Sequence, residues 1–127
     1  MVERIQRLNP REYLQVDADR LAEVYLRVGL EKGEQRVAQT VNDLTCLLDH
    51  LRAVSRTGRL GATARSAGRL HSAAQTMGLT SLQRVTTDVQ KLCQNPDPVA
   101  MNAVLLRLER VADSSIKVIS ELQAEIG

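Results

Sequence analysis

Few side chains in this sequence could act as nucleophiles, proton carriers or metal ligands. Two histidines, His50 and His71, and two cysteines, Cys46 and Cys93, are the candidates. An imidazole can accept a phosphoryl group or a proton, and a thiolate can attack an electrophile or bind a metal ion. The spacing of the four residues fits neither a zinc site nor a Cys-x-x-Cys pair, and both cysteines adjoin apolar helical faces. We therefore predict no metal, two buried free thiols, and a surface position for His50.

The sequence lacks the motifs of the common enzyme and cofactor classes. It contains no glycine-rich phosphate-binding loop, no His-Glu-x-x-His and no Gly-x-Ser-x-Gly. Aromatic residues make up 2% of the chain, as Tyr13 and Tyr25 alone, which leaves no platform for stacking nucleic-acid bases. We therefore predict no cofactor and no nucleic-acid partner.

Positive charge is concentrated in the middle of the chain. The net charge is only +2, from 17 basic and 15 acidic residues. No acidic residue lies between Asp49 and Asp88, so that stretch carries +6 and the remainder −4. Such a run is either a solvated face or a docking surface for an acidic partner. Its charges are Arg52, Arg56, Arg59, Arg65, Arg69 and Arg84.

Composition and apolar spacing predict an all-α protein. Without Phe or Trp, the core must consist of aliphatic residues, which suits packed helices better than a β-sandwich. Apolar residues recur every three or four positions and never alternate strictly, so we predict no strands. The 127 residues suit one domain, with its core at about 17–125.

Turn and capping residues divide the chain into five helical segments. Short connections would make the last four an antiparallel, up-down-up-down four-helix bundle, with the first helix packed across one end or side. Gly29 and Gly33 either separate the first two segments or only weaken one continuous helix. The segments are 17–30 with Asp17 as N-cap, 31–55, 60–77 ending at Gly78, a fourth opened by a Thr80–Gln83 capping box and continuing through Leu92, and 97–125 with Asp97 as N-cap before Pro98.

The third helix is unusually smooth on the side predicted to face solvent. If Ala67, Leu70, Ala74 and Met77 are buried, the opposite side of the helix presents a stripe with few bulky side chains. Exposed helix positions usually hold long side chains, and a glycine inside a helix costs about 1 kcal/mol relative to alanine. Close approach of another surface would explain the stripe, and so would crowding between helices of the bundle. The stripe consists of Gly61, Arg65, Gly68, Ser72 and Gln75.

Residues 67–78, Ala-Gly-Arg-Leu-His-Ser-Ala-Ala-Gln-Thr-Met-Gly, resemble part of the histidine-containing phosphotransfer (HPt) domain. In that family, one helix of a bundle displays a phosphoacceptor histidine in a pattern close to His-x-Leu-Lys-Gly, followed by a glycine near the helix end. The resemblance extends over about residues 17–122 through the helix order and the short loop before the fourth helix. It implies a role in two-component phosphorelay signalling, with a response-regulator receiver domain or a histidine kinase as partner.

The sequence departs from the family at the chemical centre. The family's acceptor histidine aligns with Gly68, its lysine with His71 and its glycine with Ser72. The resemblance thus implies a non-phosphorylatable adaptor or competitor, a stoichiometric phosphocarrier at most and not an enzyme. The partner-binding residues expected on this basis are Gly61, Arg65, Gly68, Arg69, Ser72, Gln75, Arg52, Arg56 and Arg59.

Two other functions remain open from the sequence. His71 lies one turn after Gly68, about 60° around the helix, and could be the phosphoacceptor if its ring reached the donor in line. Alternatively, the wide apolar face of the last helix, with Val104, Val111 and Val118, could make the chain an oligomerisation module or homodimer. Met1–Arg4 contain no apolar signal region and no apolar run approaches 18 residues, so we expect a cytoplasmic protein without a membrane partner.

Overall fold

Aliphatic residues at every third or fourth position build helices over most of the chain. A computed structural model describes residues 3–6 and 13–126, and it confirms the all-α bundle with an additional N-terminal helix. Helices α2 to α5 pack against their sequence neighbours, α5 also contacts α2 and so closes the bundle, and α1 packs against α2. The helices are α1 (Ala18–Val28), α2 (Leu30–Ser55), α3 (Leu60–Thr76), α4 (Thr80–Gln94) and α5 (Pro98–Ile126).

Two aspartates begin helices as predicted. The Asp17 carboxylate accepts hydrogen bonds from the backbone N–H groups of Asp19 and Arg20 at the start of α1. The Asp97 carboxylate accepts from Val99 and Ala100 at the start of α5, at 3.1 and 3.2 Å. Each side chain thereby satisfies backbone donors that have no partner within the helix.

The two glycines between the first helices have different roles. Gly29 has φ of +88° and separates α1 from α2, a conformation that favours glycine. Gly33 lies buried inside α2, where a β-carbon would stand 2.5 Å from Cδ1 of the Tyr25 ring. The chain therefore forms two helices, and the missing side chain at Gly33 lets the Tyr25 ring of α1 pack directly against the backbone of α2.

Replacing Gly33 by alanine should lower the free energy of unfolding by about 1–2 kcal/mol. The overpacking against Tyr25 is expected to cost more than the roughly 1 kcal/mol that alanine gains in helix propensity. Urea denaturation measures the difference. Gly61→Ala is the control, because a β-carbon there meets only the Arg65 guanidinium at 3.6 Å. A Gly33→Ala protein as stable as Gly61→Ala would contradict the tight contact.

The prediction that the chain has no strands is wrong. Strand β1 (Glu3–Gln6) pairs with β2 (Tyr13–Val16) in an antiparallel ladder that sets Glu3 opposite Val16 and Gln6 opposite Tyr13. Neither strand alternates strictly, since β1 reads Glu-Arg-Ile-Gln and β2 reads Tyr-Leu-Gln-Val, so the pattern that predicts a half-buried strand is absent from both. The pair is held in part by contacts of β2 with the bundle, which sequence periodicity does not report.

The start of α4 also differs from its predicted capping box. Leu79 is the N-cap residue and supplies no side-chain hydrogen bond. The Thr80 hydroxyl donates instead to the Gln15 carbonyl at 2.7 Å, and the Ser81 hydroxyl accepts from the Gln15 N–H at 2.8 Å. The two hydroxyls attach β2 to the start of α4, because β2 presents an unpaired backbone edge there.

The core is aliphatic, as the composition predicts. Leu44, Leu70 and Ile119 are among its fully buried side chains, and the buried polar residues that the structure describes are threonines and serines. Leu21, Leu60 and Ile126 also belong to apolar stripes at helical spacing in the sequence. Leu60 is 37% exposed, and the side chains of Leu21 and Ile126 lie outside the described part of the structure.

The wide apolar face predicted for the last helix lies mostly inside the bundle. Val111 and Val118 are buried, and Val104 packs against the same core. The bundle therefore accounts for the width that suggested an oligomerisation module.

Within the described residues, no helix has the length and apolar character needed to cross a membrane.

Candidate partner-binding site

The structure places the smooth stripe on the outer face of α3. Thr63, Ala67, Leu70 and Ala74 are buried, so the opposite side of the helix faces outward. On that side Gly61, Arg65, Ser72 and Gln75 are exposed, and Gly68 is half-buried. The predicted stripe therefore forms one surface over residues 61–75, and it carries no large apolar side chain.

A glutamine of α4 lies over Gly68. A β-carbon at Gly68 would stand 3.0 Å from Nε2 of Gln90, which donates a long hydrogen bond of 3.4 Å to the Ala64 carbonyl. Gly68 thus has a direct neighbour on one side, and that neighbour is the far end of a flexible side chain. The sequence did not single out Gln90, although it belongs to a polar stripe at helical spacing that includes Gln83 and Thr87.

The imidazole of His71 is anchored on α4. Its Nδ1 lies 3.2 Å from the Gln83 carbonyl oxygen and 3.1 Å from the Thr86 hydroxyl oxygen. The Thr86 hydroxyl donates its own hydrogen to backbone carbonyls of α4, and a carbonyl can only accept. Nδ1 therefore carries a hydrogen, which in the neutral ring leaves the lone pair on Nε2. The ring is turned from the outward stripe towards α4.

The predicted arginines do not all reach one surface. Arg65 and Arg69 are exposed on α3, and Arg56 and Arg59 are exposed where α2 connects to α3. Arg52 is held elsewhere, because its Nε donates to Glu109 at 2.6 Å and its Nη1 to Asp49 at 2.9 Å.

The pairing of Arg52 fixes it between α2 and α5. Partial burial acts to lower the pKa of the Arg52 guanidinium, but the hydrogen bond and charge of Glu109, with Asp113 and Asp49 nearby, raise this pKa above its ordinary value. The Arg52 and Glu109 side chains are 33% and 40% exposed, so their ion pair is expected to contribute at most about 1 kcal/mol to stability. Arg52 therefore joins two helices, while the other four arginines remain available to a partner.

The prediction of two buried thiols is wrong for one of them. Cys46 is exposed, because it follows buried Leu44 by two residues and lies about 200° further around α2. Cys93 is half-buried, and burial raises the pKa of its thiol, which keeps it protonated and weakly reactive.

The second histidine also contacts the third helix. His50 is exposed, as predicted, and its Nδ1 lies 3.0 Å from the hydroxyl oxygen of buried Ser66 on α3. In the described ranges 3–6 and 13–126, no three His, Cys, Asp or Glu residues gather where they could hold a metal ion. The residues with reactive side chains are therefore dispersed, and only His71 adjoins the stripe.

A solved structure shares this arrangement of helices. The crystal structure of histidine-containing phosphotransfer protein B (HptB) from Pseudomonas aeruginosa PAO1 superimposes with a TM-score of 0.78. The match covers 87% of this chain and 95% of that one, at 15% sequence identity. The fold is that of a histidine-containing phosphotransfer protein. No protein-family model and no curated protein matches the sequence.

Proposed function

We propose that the chain is a non-phosphorylatable partner of a two-component phosphorelay. It docks a response-regulator receiver domain, or the corresponding part of a histidine kinase, through the outer face of α3. The observation that carries the proposal is Gly68, which lies in mid-helix on that face where the resemblance places an acceptor histidine. A bundle with the HPt fold and no acceptor at this position would occupy a receiver without accepting its phosphoryl group.

The surface around Gly68 suits such a partner in shape and charge. Small or short side chains allow a second surface to approach the α3 backbone closely. Arg65 and Arg69 extend from the same part of the helix and carry positive charge towards the acidic residues that a receiver uses at its phosphorylation site. Docking of this kind would withhold the receiver from an active phosphotransfer protein, so the chain acts as a competitor or an adaptor.

Reversing two charges tests the docking surface. Arg65→Glu/Arg69→Glu should raise the dissociation constant for a receiver domain at least ten-fold, which corresponds to about 1.4 kcal/mol, because attractive charge pairs become repulsive. Isothermal titration calorimetry with receiver domains from the same organism, with and without a phosphoryl mimic, provides the measurement.

The matched control is Arg27→Glu/Arg36→Glu, which makes the same charge change at exposed positions on α1 and α2. It should bind the receiver as the unmodified chain does, apart from a general effect that added salt removes. If both double variants weakened receiver binding equally, the loss would come from the change in net charge and not from the surface of α3. Equal binding by all three proteins would overturn the proposal.

A second candidate function is phosphotransfer through His71. Its Nδ1 is tied to the Gln83 carbonyl, so Nε2 of the neutral ring is free to attack the phosphorus of an aspartyl phosphate. The N–P bond would form as the bond to the aspartyl oxygen breaks and the aspartate leaves as a carboxylate, while the hydrogen on Nδ1 would stay there, hydrogen-bonded to the Gln83 carbonyl. Against it, the ring faces α4, and in-line transfer tolerates little misplacement.

Radiolabel from a phosphorylated receiver decides between these functions. The unmodified chain should acquire no acid-labile phosphate if it is a docking partner only. Label that His71→Ala removes and His50→Ala retains would establish the second function instead. The His50 variant is the control because it removes the other imidazole, which contacts Ser66 and not α4.

A further inference from the structure

A shallow cavity beside His71 gathers positive charge from two helices. It has a volume of about 360 Å³ and lies between α3, α4 and α5. Three cations line it against one carboxylate, so the lining carries +2 before any charge on the histidine is counted. The lining residues are His71, Gln83, Arg84, Thr87, Asp88, Lys91 and Arg107.

The cations of this cavity are incompletely neutralised. Asp88 pairs with Arg107 over a long distance of 3.6 Å, which leaves other guanidinium donors of Arg107 unused. Neither Arg84 nor Lys91 takes part in an ion pair with any residue in the described part of the chain. Like charges held together without counter-charge favour an anion, because the anion relieves their mutual repulsion.

Because of their spacing, Arg84 and Lys91, the cations of α4, lie on one side of that helix. Arg84, Thr87 and Lys91 recur at steps of three and four, so they lie along one face of the helix over two turns. Thr87 donates its hydroxyl hydrogen to the Gln83 carbonyl at 2.9 Å, which holds the hydroxyl fixed between the two cations. His71 enters from α3 with its ring orientation set by the Gln83 carbonyl, so the pocket has a fixed wall on that side.

We propose that this cavity binds a phosphate group. The group is a dianion that can receive donors from several directions, which suits cations contributed by α4 and α5 together. A single carboxylate would leave part of the +2 lining unopposed, and a nucleic acid would need a longer basic track than a pocket interrupted by Asp88. The phosphate group comes either from a free phosphate ester or from the phosphorylated aspartate of the docked receiver. Binding of a free phosphate ester does not depend on the proposed function, whereas binding of the receiver's phosphorylated aspartate rests on it.

Titration with inorganic phosphate tests the site itself. At constant ionic strength, amide resonances of residues 84, 87 and 91 should shift saturably in two-dimensional NMR spectra. Arg84→Gln/Lys91→Gln should weaken the phosphate affinity at least ten-fold, whereas Arg27→Gln/Arg36→Gln, which removes the same charge elsewhere, should leave it unchanged. The proposal would be overturned if chloride produced the same shifts, or if no shift were saturable. It would also be overturned if Arg84→Gln/Lys91→Gln showed the same phosphate-induced shifts as Arg27→Gln/Arg36→Gln.

A second arm identifies the source of the phosphate group. Arg84→Gln/Lys91→Gln would selectively weaken binding of a receiver carrying a beryllofluoride phosphoryl mimic if the partner supplies the group. Equal receiver binding by the variant and the unmodified chain, with phosphate affinity lost, would assign the site to a free phosphate ester. Two other results concern only the proposed function: loss of receiver binding in Arg65→Glu/Arg69→Glu, and failure of the receiver to bind the unmodified chain. Neither affects the test of the cavity, because inorganic phosphate is titrated without any receiver.

Discussion

The Gly68→His variant is expected to become an acid-labile phosphoprotein. Incubated with a phosphorylated receiver domain, this variant should take up label, and the unmodified chain should take up none. The new imidazole would project from the middle of the outer face of α3, where small neighbours allow close approach. Outside its own helix, the one described atom within 4 Å of the new β-carbon is the Gln90 amide nitrogen at 3.0 Å, and that amide ends a flexible side chain.

Two further variants make this result interpretable. Gly68→Ala adds the β-carbon without the imidazole and should stay unlabelled. Gly68→His/Gln90→Ala removes the neighbouring amide and should be labelled at least as fast as Gly68→His alone. If Gly68→His binds the receiver normally but remains unlabelled in both backgrounds, the alignment of Gly68 with the family's acceptor is wrong.

Gly78→Ala should be the most destabilising of the glycine substitutions, at about 2–4 kcal/mol. Gly78 has φ of +72°, which costs an L-residue about 1–2 kcal/mol. A β-carbon there would also stand 2.6 Å from the Asp17 carbonyl oxygen and 2.9 Å from Cβ of Arg20. Relieving those contacts would disturb the hydrogen bond of 2.7 Å from the Asp17 N–H to the Gly78 carbonyl.

Gly58→Ala separates the two contributions to that loss. Gly58 has nearly the same conformation, with φ of +75°, but nothing lies within 4 Å of its missing β-carbon. Its substitution should therefore show the backbone penalty alone, about 1–2 kcal/mol, in the same denaturation experiment. Equal losses for the two variants would mean that the turn between α3 and α4 does not pack closely on the start of α1.

Local rules predicted the helices well because they act between residues close in sequence. Asp17 and Asp97 cap helices by reaching backbone groups two and three residues away, and Gly78 ends a helix through its own conformation. The same rules misjudged Thr80, because the partner of its hydroxyl is Gln15, which lies 65 residues earlier. Competition between local and distant partners is decided by tertiary structure, which a capping pattern does not describe.

The candidate site was predictable on α3 and not on α4. The stripe around Gly68 follows from the periodicity of one helix, since its buried face defines the opposite one. Gln90 and Lys91 acquire their places only when α4 lies antiparallel to α3, and the pairing of Arg52 with Glu109 needs α5 as well. Charge counting along the sequence therefore included Arg52, which Glu109 of α5 holds, and did not single out Lys91, which lines the cavity proposed to bind phosphate.

The attachment of β2 to the start of α4 has a kinetic consequence. Packing between successive helices joins residues that are near in the chain, so the bundle has a low contact order and should fold quickly. The bonds from Gln15 to Thr80 and Ser81 span 65 and 66 residues and close a long loop. Because such loops are the slowest to close, this attachment should form after the transition state, and weakening it should accelerate unfolding while leaving the refolding rate nearly unchanged.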